Sequence, residues 1–444
     1  MQLRTKFTSL PIGELSALIG QGVVKPSEVA AEVIGAAESI RSSNCWLHFD
    51  AERLRAEADR LDWEIHTPER AGLLCGIPVS VKDLFDVEAQ PVTCGSGFFR
   101  IPGAVAAADA PFVAQWRRLG ALLAGKTHLN EFAYGITGEN PWFGDCTIPG
   151  RPDCLTGGSS SGAAASVVGG AACIGLGTDT GGSLRVPAAL CGLVSFRSRD
   201  WFPDHQGVFP LAGSFDTLGW MNRYLGDVGR IARALFPAVF EGSTPVSRVR
   251  LSFLEGPLLD DCELDVATAS DGFRQQLTEC GFEVGREPAA GWEAAFEIFA
   301  PTQAREAWGV HQARLEAAPQ NYSPAVRSRL EWGRQITTEE HTSLQGKRGQ
   351  LVRQMEQAFA DGRLLILPAT PFSRLRRAQD HSAARPRLLR LTTPASLGCW
   401  PVLTVPWRPG GEATGIGFQV MAPRGGEWRL VEFAERLASL QPGL

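Results

Sequence analysis

The sequence predicts an α/β protein: a single large domain whose central β-sheet, mixed but mostly parallel, is covered by helices on both faces. Three observations carry this. Short apolar runs bounded by glycine or proline alternate with amphipathic stretches along the chain, as strands and helices do when they take turns. Runs such as IPVSV read as strands buried on both sides, which parallel sheets require. No linker rich in glycine, serine or proline divides the 444 residues, of which 44% are apolar and 20% charged, enough for one packed core.

Residues 27 to 40, SEVAAEVIGAAESI, open the series as a helix, with Ser27 as N-cap and Val29, Val33, Ala37 and Ile40 on one stripe. AERLRAEADRL, 51 to 61, is a second helix. IPVSV, 77 to 81, is a strand. Residues 109 to 119 are helical, and ALLAG after Gly120 is the next strand. A helix of small residues spans 159 to 168, and CIGLGT, 173 to 178, is a strand. A strand, helix, strand unit follows around 249 to 285. LLILPA (364 to 369) and IGFQVMA (416 to 422) add strands, and GEWRLVEFAERLASL closes the chain as a helix. The arginine-rich piece from 373 to 390, SRLRRAQDHSAARPRLLR, reads as a surface loop.

Composition excludes several classes. A net charge of -5 argues against a basic nucleic-acid groove. The N-terminal MQLRTKFTSLPIGEL has no apolar h-region, so no secretory signal is expected. The small-apolar run from Gly162 to Gly177 is a buried helix and strand rather than a membrane span. Ten scattered cysteines with no C-x-x-C pair exclude zinc-ligand spacing and fit a reducing cytoplasm. No cofactor or metal is expected.

Two motifs mislead. GALLAGKT, 120 to 127, matches the phosphate-loop pattern, but helix-like FVAQWRRL precedes it and its loop positions are apolar, so it reads as strand. GSSSG, 158 to 162, matches a nucleophile elbow, yet the residues before it, GRPDCLTG, are loop-like, and none of His205, His311, His341 and His381 sits in a telling setting.

A different chemistry remains. GTDTGGSLRVPAALCG, 177 to 192, offers Ser183 after a Gly-Gly pair, with His128 and His205 the closest histidines in sequence. A serine hydroxyl needs a base, and a buried lysine can supply one because desolvation disfavours its charged form. Only five lysines occur, and Lys82 lies in an apolar stretch, GIPVSVKDLFDV, beside Asp83 and Asp86, which oppose the shift if they face it. Gly181 and Gly182 permit positive φ, and the amides from Thr180 to Ser183 are candidates for an oxyanion hole.

At this point GGSSSGAAASVVGGAACIGLGTDTGGSLRVPAALCGLVSF, 157 to 196, closely resembles the amidase signature family. GIPVSVKDLFDV looks like its lysine strand. GALLAGKTHLNEFAYGITGENPWFG looks like the segment between, and LLRLTTPASLGCWPVLTVPW, ending at Trp407, like the C-terminal segment that returns beneath the site. The resemblance implies a Ser-cisSer-Lys triad: Ser183 as nucleophile, Ser159 after Gly157-Gly158 as the bridging serine with a cis peptide before it, and Lys82 as base. It assigns Asp179 and Arg185 to bracing. It also implies one domain over 1–444, with an N-terminal helical region (1–65), a catalytic core (66–200) and the remainder of the sheet, pocket helices and C-terminal return (201–444).

This sequence departs from the family pattern at three places: Thr156 for the usual proline, Ser195-Phe196-Arg197-Ser198 for G-x-K-P, and Ser396 for a frequent asparagine. The expected activity is hydrolysis of a small carboxamide without nucleic acid or membrane. The glutaminase subunit of a tRNA-dependent amidotransferase is the alternative, and a catalytically silent binding subunit is a third. Glutamine recognition needs a guanidinium, for which Arg305, Arg314, Arg327 and Arg329 are candidates. Pocket walls are expected from 130 to 143, 300 to 335 and 394 to 401. Oligomeric state stays open, a homodimer included.

Overall fold

The computed structural model describes residues 6–64, 74–99, 105–241, 249–411 and 413–441. The division expected at residues 65 and 66 lies outside them. Fourteen strands are described: β1 (Trp46–His48), β2 (Pro78–Lys82), β3 (Leu122–Thr127), β4 (Thr147–Ile148), β5 (Arg151–Leu155), β6 (Ile174–Thr178), β7 (Val194–Ser198), β8 (Leu218–Asn222), β9 (Arg250–Glu255), β10 (Glu283–Pro288), β11 (Leu364–Pro368), β12 (Leu375–Arg376), β13 (Val402–Pro406) and β14 (Gly417–Met421). Eleven form one sheet in the order β1-β3-β2-β6-β8-β7-β13-β14-β11-β9-β10, and β12, β5 and β4 form a small second sheet.

The large sheet is mixed, as expected, but parallel pairing does not dominate it. β3, β2 and β6 run parallel at one end and β11, β9 and β10 at the other. The pairings between these groups, from β6 through β8, β7, β13 and β14 to β11, are antiparallel. The physical reason lies in the connections. Parallel neighbours need a crossover, and the helices Pro111–Arg118, Ser161–Val168 and Leu264–Glu279 supply them only towards the ends.

Helices cover both faces because both faces are apolar. Along β11, Leu364 and Ile366 enter one core while Leu365 and Leu367 enter the other, following the period of two. The first core receives the helices Pro26–Ser39, Pro111–Arg118 and Glu427–Leu440 through Val33, Trp116 and Leu430. The second receives Ala295–Ala317 and Ala384–Gly398 through Phe299 and Leu388. No helix among the described residues is long and apolar enough to cross a membrane.

Two local expectations are corrected. The first long helix begins at Pro26, with Lys25 at the cap. Glu28 accepts the Lys25 amide (3.0 Å), while Ser27, expected as the cap, donates its hydroxyl to Asp62 (2.6 Å). The arginine-rich stretch is not all surface loop: Leu375–Arg376 is a strand, and Ala384–Gly398 is a helix whose Leu388, Leu391 and Thr392 are buried. Arg387 and Arg390 lie on its outer side, donating to Asp261 and to the Leu258 and Pro257 carbonyls, while Arg385 lies over the Tyr134 ring.

Candidate active site

β3, β2 and β6 end side by side, since Lys82 pairs with Thr127 and Val81 with Leu176. In sheets of this kind the carboxyl ends of parallel strands are where chemistry collects. Alternation decides which way Lys82 faces. Val79 and Val81 enter a hydrophobic core, so Ser80 and Lys82 point to the opposite side, where Ser80 meets Ser166 of the helix Ser161–Val168 at 2.8 Å. The turn before that helix carries Ser159.

Lys82 is wholly buried. Its Nζ lies 2.8 Å from Ser159 Oγ and 2.7 Å from Thr178 Oγ1. Burial lowers its pKa from 10.5 to about 7, against the opposing pull of Asp179 and Asp216. Asp83 and Asp86 do not provide that pull. Asp83 is engaged with Lys126 at 2.6 Å in a fully buried pair, and Asp86 also feels Lys126. Lys126 is the lysine of the misleading phosphate-loop pattern, and it sits in β3.

The peptide bond between Gly158 and Ser159 is cis. Gly158 is needed there for close approach: a Cβ would stand 2.0 Å from Asn130 Oδ1. Ser160 donates its amide to the Ser183 carbonyl (3.2 Å), which sets the two serine turns against each other. Ser183 is buried and precedes the helix Arg185–Cys191. Lys82 thus touches Ser159 directly, and Ser183 is tied to the same turn through its carbonyl.

Asp179 organises the glycine turn. Its carboxylate accepts the amides of Gly182 (2.8 Å), Leu184 (3.1 Å) and Arg185 (3.3 Å), and the guanidiniums of Arg185 and Arg197 (2.8 Å each). Burial alone raises such a carboxyl, but the two guanidiniums outweigh it and hold Asp179 well below the usual carboxylate range. The Gly182 amide is thereby committed, which removes it from the expected oxyanion-hole set. The amides of Thr180, Gly181 and Ser183 have no hydrogen-bond partner among the described residues. The Thr180 hydroxyl donates to Asp216 (2.6 Å), whose pKa burial raises to about 6.

The departures from the family pattern are absorbed locally. Ser396 accepts from Arg185 (2.9 Å), which also donates to Gln419 (2.7 Å) and the Thr392 carbonyl (2.7 Å). Arg197 reaches Asp179 from β7 while donating to the carbonyls of Ala395 and Trp400. Thr156 donates to the Gly157 carbonyl (2.9 Å). Sequence reasoning missed Thr178, Arg197 and Asp216. A charged residue inside the apolar run LVSFRS was the available signal for Arg197.

A cavity of about 780 Å³ opens between the 130 to 141 segment and the helices Pro324–Gln335 and Ala384–Gly398, and none of Lys82, Ser159 and Ser183 lines it. Residues 130 to 141 and 323 to 329, both within segments expected to wall the substrate pocket, line it. The expected wall at 394 to 401 does not; the first turn of the same helix, with Arg385 and Pro386, takes its place. Ile136, in the wall, accepts the Gly158 amide (2.8 Å). One turn beyond Arg385, Leu389 packs where a Cβ on Gly181 would lie, and Thr392 donates to the Gly181 carbonyl (2.5 Å). Of the four candidate arginines, Arg329 lines this cavity. Arg314 lies over the Phe99 and Phe209 rings in a separate one, and Arg327 pairs with Glu331 on the surface. Arg305 does not line it.

A family model described as Amidase matches residues 28–431. The chain is 31% identical over 412 residues to a 2-amino-5-chloromuconic acid deaminase of Comamonas testosteroni, covering 89% of this chain and 88% of that protein. It is 25% identical over 469 residues to one of the subunits of the glutamyl-tRNA(Gln) amidotransferase of Synechococcus sp. (strain RCC307), covering 96% of each. A solved structure described as an amidase superposes with a TM-score of 0.87 at 28% identity, covering 97% of this chain and 99% of that one.

Proposed function

Because the chain belongs to the amidase family, we propose that it hydrolyses a carboxamide to a carboxylate and ammonia or an amine, through an acyl-enzyme on Ser183. The observation that carries this reading is the contact between the buried Lys82 amine and Ser159. The same 2.8 Å separation serves both directions of transfer: a neutral amine accepts the hydroxyl proton, and an ammonium donates it back.

Ser183 Oγ attacks the amide carbon as its proton passes to Ser159 and the Ser159 proton passes to Lys82. The carbonyl oxygen becomes an oxyanion facing the amides of Thr180, Gly181 and Ser183, each donor worth roughly 2.7–4 kcal/mol of barrier. Lys82 returns the proton through Ser159 to the leaving nitrogen, and the C–N bond breaks. Water then attacks the ester by the same relay, releasing the acid and restoring Ser183.

A second reading, the glutamine-hydrolysing component of an amidotransferase, is favoured by the likeness to the Synechococcus protein. The Lys82–Ser159 contact argues against a catalytically silent role. Ten unpaired cysteines support a reducing compartment such as the cytoplasm.

The test is ammonia release by the purified chain alone on aliphatic amides, aryl amides, ureas and glutamine. A serine-directed covalent probe is expected to label Ser183, and Ser183→Ala to abolish both labelling and turnover. Labelling of another serine, or full turnover by the variant, overturns the assignment. Glutamine turnover only with a partner protein selects the second reading.

A further inference from the structure

The glycine turn is held by a ring of buried contacts whose far side comes from the C-terminal return. Thr392, in the helix Ala384–Gly398, lies wholly inside the protein. Its hydroxyl donates to the Gly181 carbonyl (2.5 Å), 211 residues away in sequence. Its own carbonyl accepts Arg185 (2.7 Å), Arg185 grips the Asp179 carboxylate (2.8 Å), and that carboxylate accepts the Gly182 amide (2.8 Å). The path from Thr392 through Arg185, Asp179 and the Gly181–Gly182 peptide back to Thr392 is closed.

The peptides of the turn are not held alike. The Asp179–Thr180 peptide is held at its carbonyl by the Thr217 hydroxyl (2.6 Å), and the Gly182–Ser183 peptide at its carbonyl by the Val186 amide (2.8 Å). The Gly181–Gly182 peptide is held at both ends, its amide by Asp179 and its carbonyl by Thr392. The Thr180–Gly181 peptide, which carries the Gly181 amide, has neither end held among the described residues and takes its direction from its neighbours. Gly181 and Gly182 have no Cβ to restrict the backbone, so the contacts must do it.

A hydroxyl has one proton to give. The other acceptor within reach of Thr392 is the Leu388 carbonyl, at 3.1 Å in its own helix. The Gly181 carbonyl is closer and has no other donor among the described residues. A buried carbonyl without a donor is costly, so the proton belongs to Gly181.

We propose that Thr392 is a positioning residue for the oxyanion hole: its hydroxyl fixes the Gly181–Gly182 peptide and, through it, the direction of the Gly181 and Ser183 amides. This rests on the amidase reading above. Thr392 forms no hydrogen bond with Lys82, Ser159 or Ser183, so its loss leaves nucleophile and relay in place. The loss falls on the transition state, where the oxyanion exists, and not on substrate binding.

The experiment compares Thr392→Ser, Thr392→Ala and Thr392→Val with the unaltered chain, each checked for native fold by far-UV circular dichroism. Phenylmethanesulfonyl fluoride, which esterifies a serine with loss of fluoride, gives the rate of labelling at Ser183. The amide cleaved fastest among aliphatic amides, aryl amides, ureas and glutamine gives kcat and KM. Thr392→Ala and Thr392→Val are expected to lower kcat and the labelling rate about 100-fold with KM within about threefold, and Thr392→Ser, which keeps the hydroxyl, to stay within about fivefold throughout. The pH profile of labelling should keep its apparent pKa in all three variants, because the base is untouched, while its plateau drops in the two that lack the hydroxyl. Near-normal labelling of Thr392→Ala overturns the proposal. So does Thr392→Ser being as impaired as Thr392→Ala, which makes the methyl the working group, or a loss confined to KM, which makes Thr392 part of the substrate pocket. If Thr392→Val does not fold, the other two decide, since neither adds an atom to the site. A chain that labels at Ser183 but cleaves no amide removes the amidase reading, and the labelling rates then decide the role of Thr392.

Discussion

Lys82 carries the chemistry by being uncharged, and its surroundings set that state. Desolvation is the larger influence, and the carboxylates that resist it, Asp179 and Asp216, are spent on Arg185, Arg197, Thr180 and backbone amides. With a pKa of about 7, the free base dominates above neutrality and falls tenfold per unit below it. kcat/KM should therefore rise with pH through an apparent pKa near 7 and level off above. A pH-rate profile checks this, and an optimum near pH 5 contradicts it. Lys82→Arg should lower kcat by about 10³-fold with the fold retained by circular dichroism, because a guanidinium does not give up its proton. The same depressed pKa acts on stability with a definite sign. Between about pH 7 and 10.5 the unfolded chain holds the extra proton, so this group's contribution to stability rises with pH across that window and is flat below it.

At the scale of elements, the glycine turn between β6 and the helix Arg185–Cys191 has little freedom to change. Gly182 has φ of +125°, and a Cβ there would stand 2.9 Å from Thr392 Cγ2. Gly182→Ala should displace the turn and lower kcat at least 100-fold while the far-UV spectrum stays native. Near-normal turnover of the variant would show that the turn tolerates a side chain. These elements were the most legible part of the sequence. IPVSV, ALLAG and CIGLGT are apolar runs closed by glycine, proline or polar residues, and each is a strand. Lys82 stood out at the end of the strand run IPVSV, and Ser159 and Ser183 stood out within the long stretch 157 to 196. The helix Ala384–Gly398 was not, because arginines at 385, 387 and 390 mask its buried stripe. Nor was Arg329 singled out from Arg305, Arg314 and Arg327. All four lie on helical stretches, and only the packing of helices that are distant in sequence separates them.

At the scale of the whole molecule, the mixed sheet explains why the sequence overestimated parallel pairing. Apolar content reports burial on both faces, which central antiparallel strands such as β7, β8 and β13 share with parallel ones. It does not report strand direction. The fold also tolerates a fully buried ion pair, Lys126 with Asp83, where β3 ends beside β2. Lys126→Met removes the buried partner of Asp83, and breaking such a pair costs about 3–5 kcal/mol. Thermal unfolding should show a midpoint lowered by several degrees, with part of the loss restored in the double variant Asp83→Asn, Lys126→Met. An unaltered midpoint would mean that the pair contributes nothing net.

The scarcity of lysine has a practical reach as well. Lys82 and Lys126 are sealed inside, while Lys6, Lys25 and Lys347 are exposed. Amine-coupling reagents used to tether the protein to beads or sensor chips thus find three lysine anchors, on the first turns of the described chain and on the helix Thr338–Glu356. A surface-bound preparation made this way keeps its reactive amine untouched and presents the molecule in a small number of orientations.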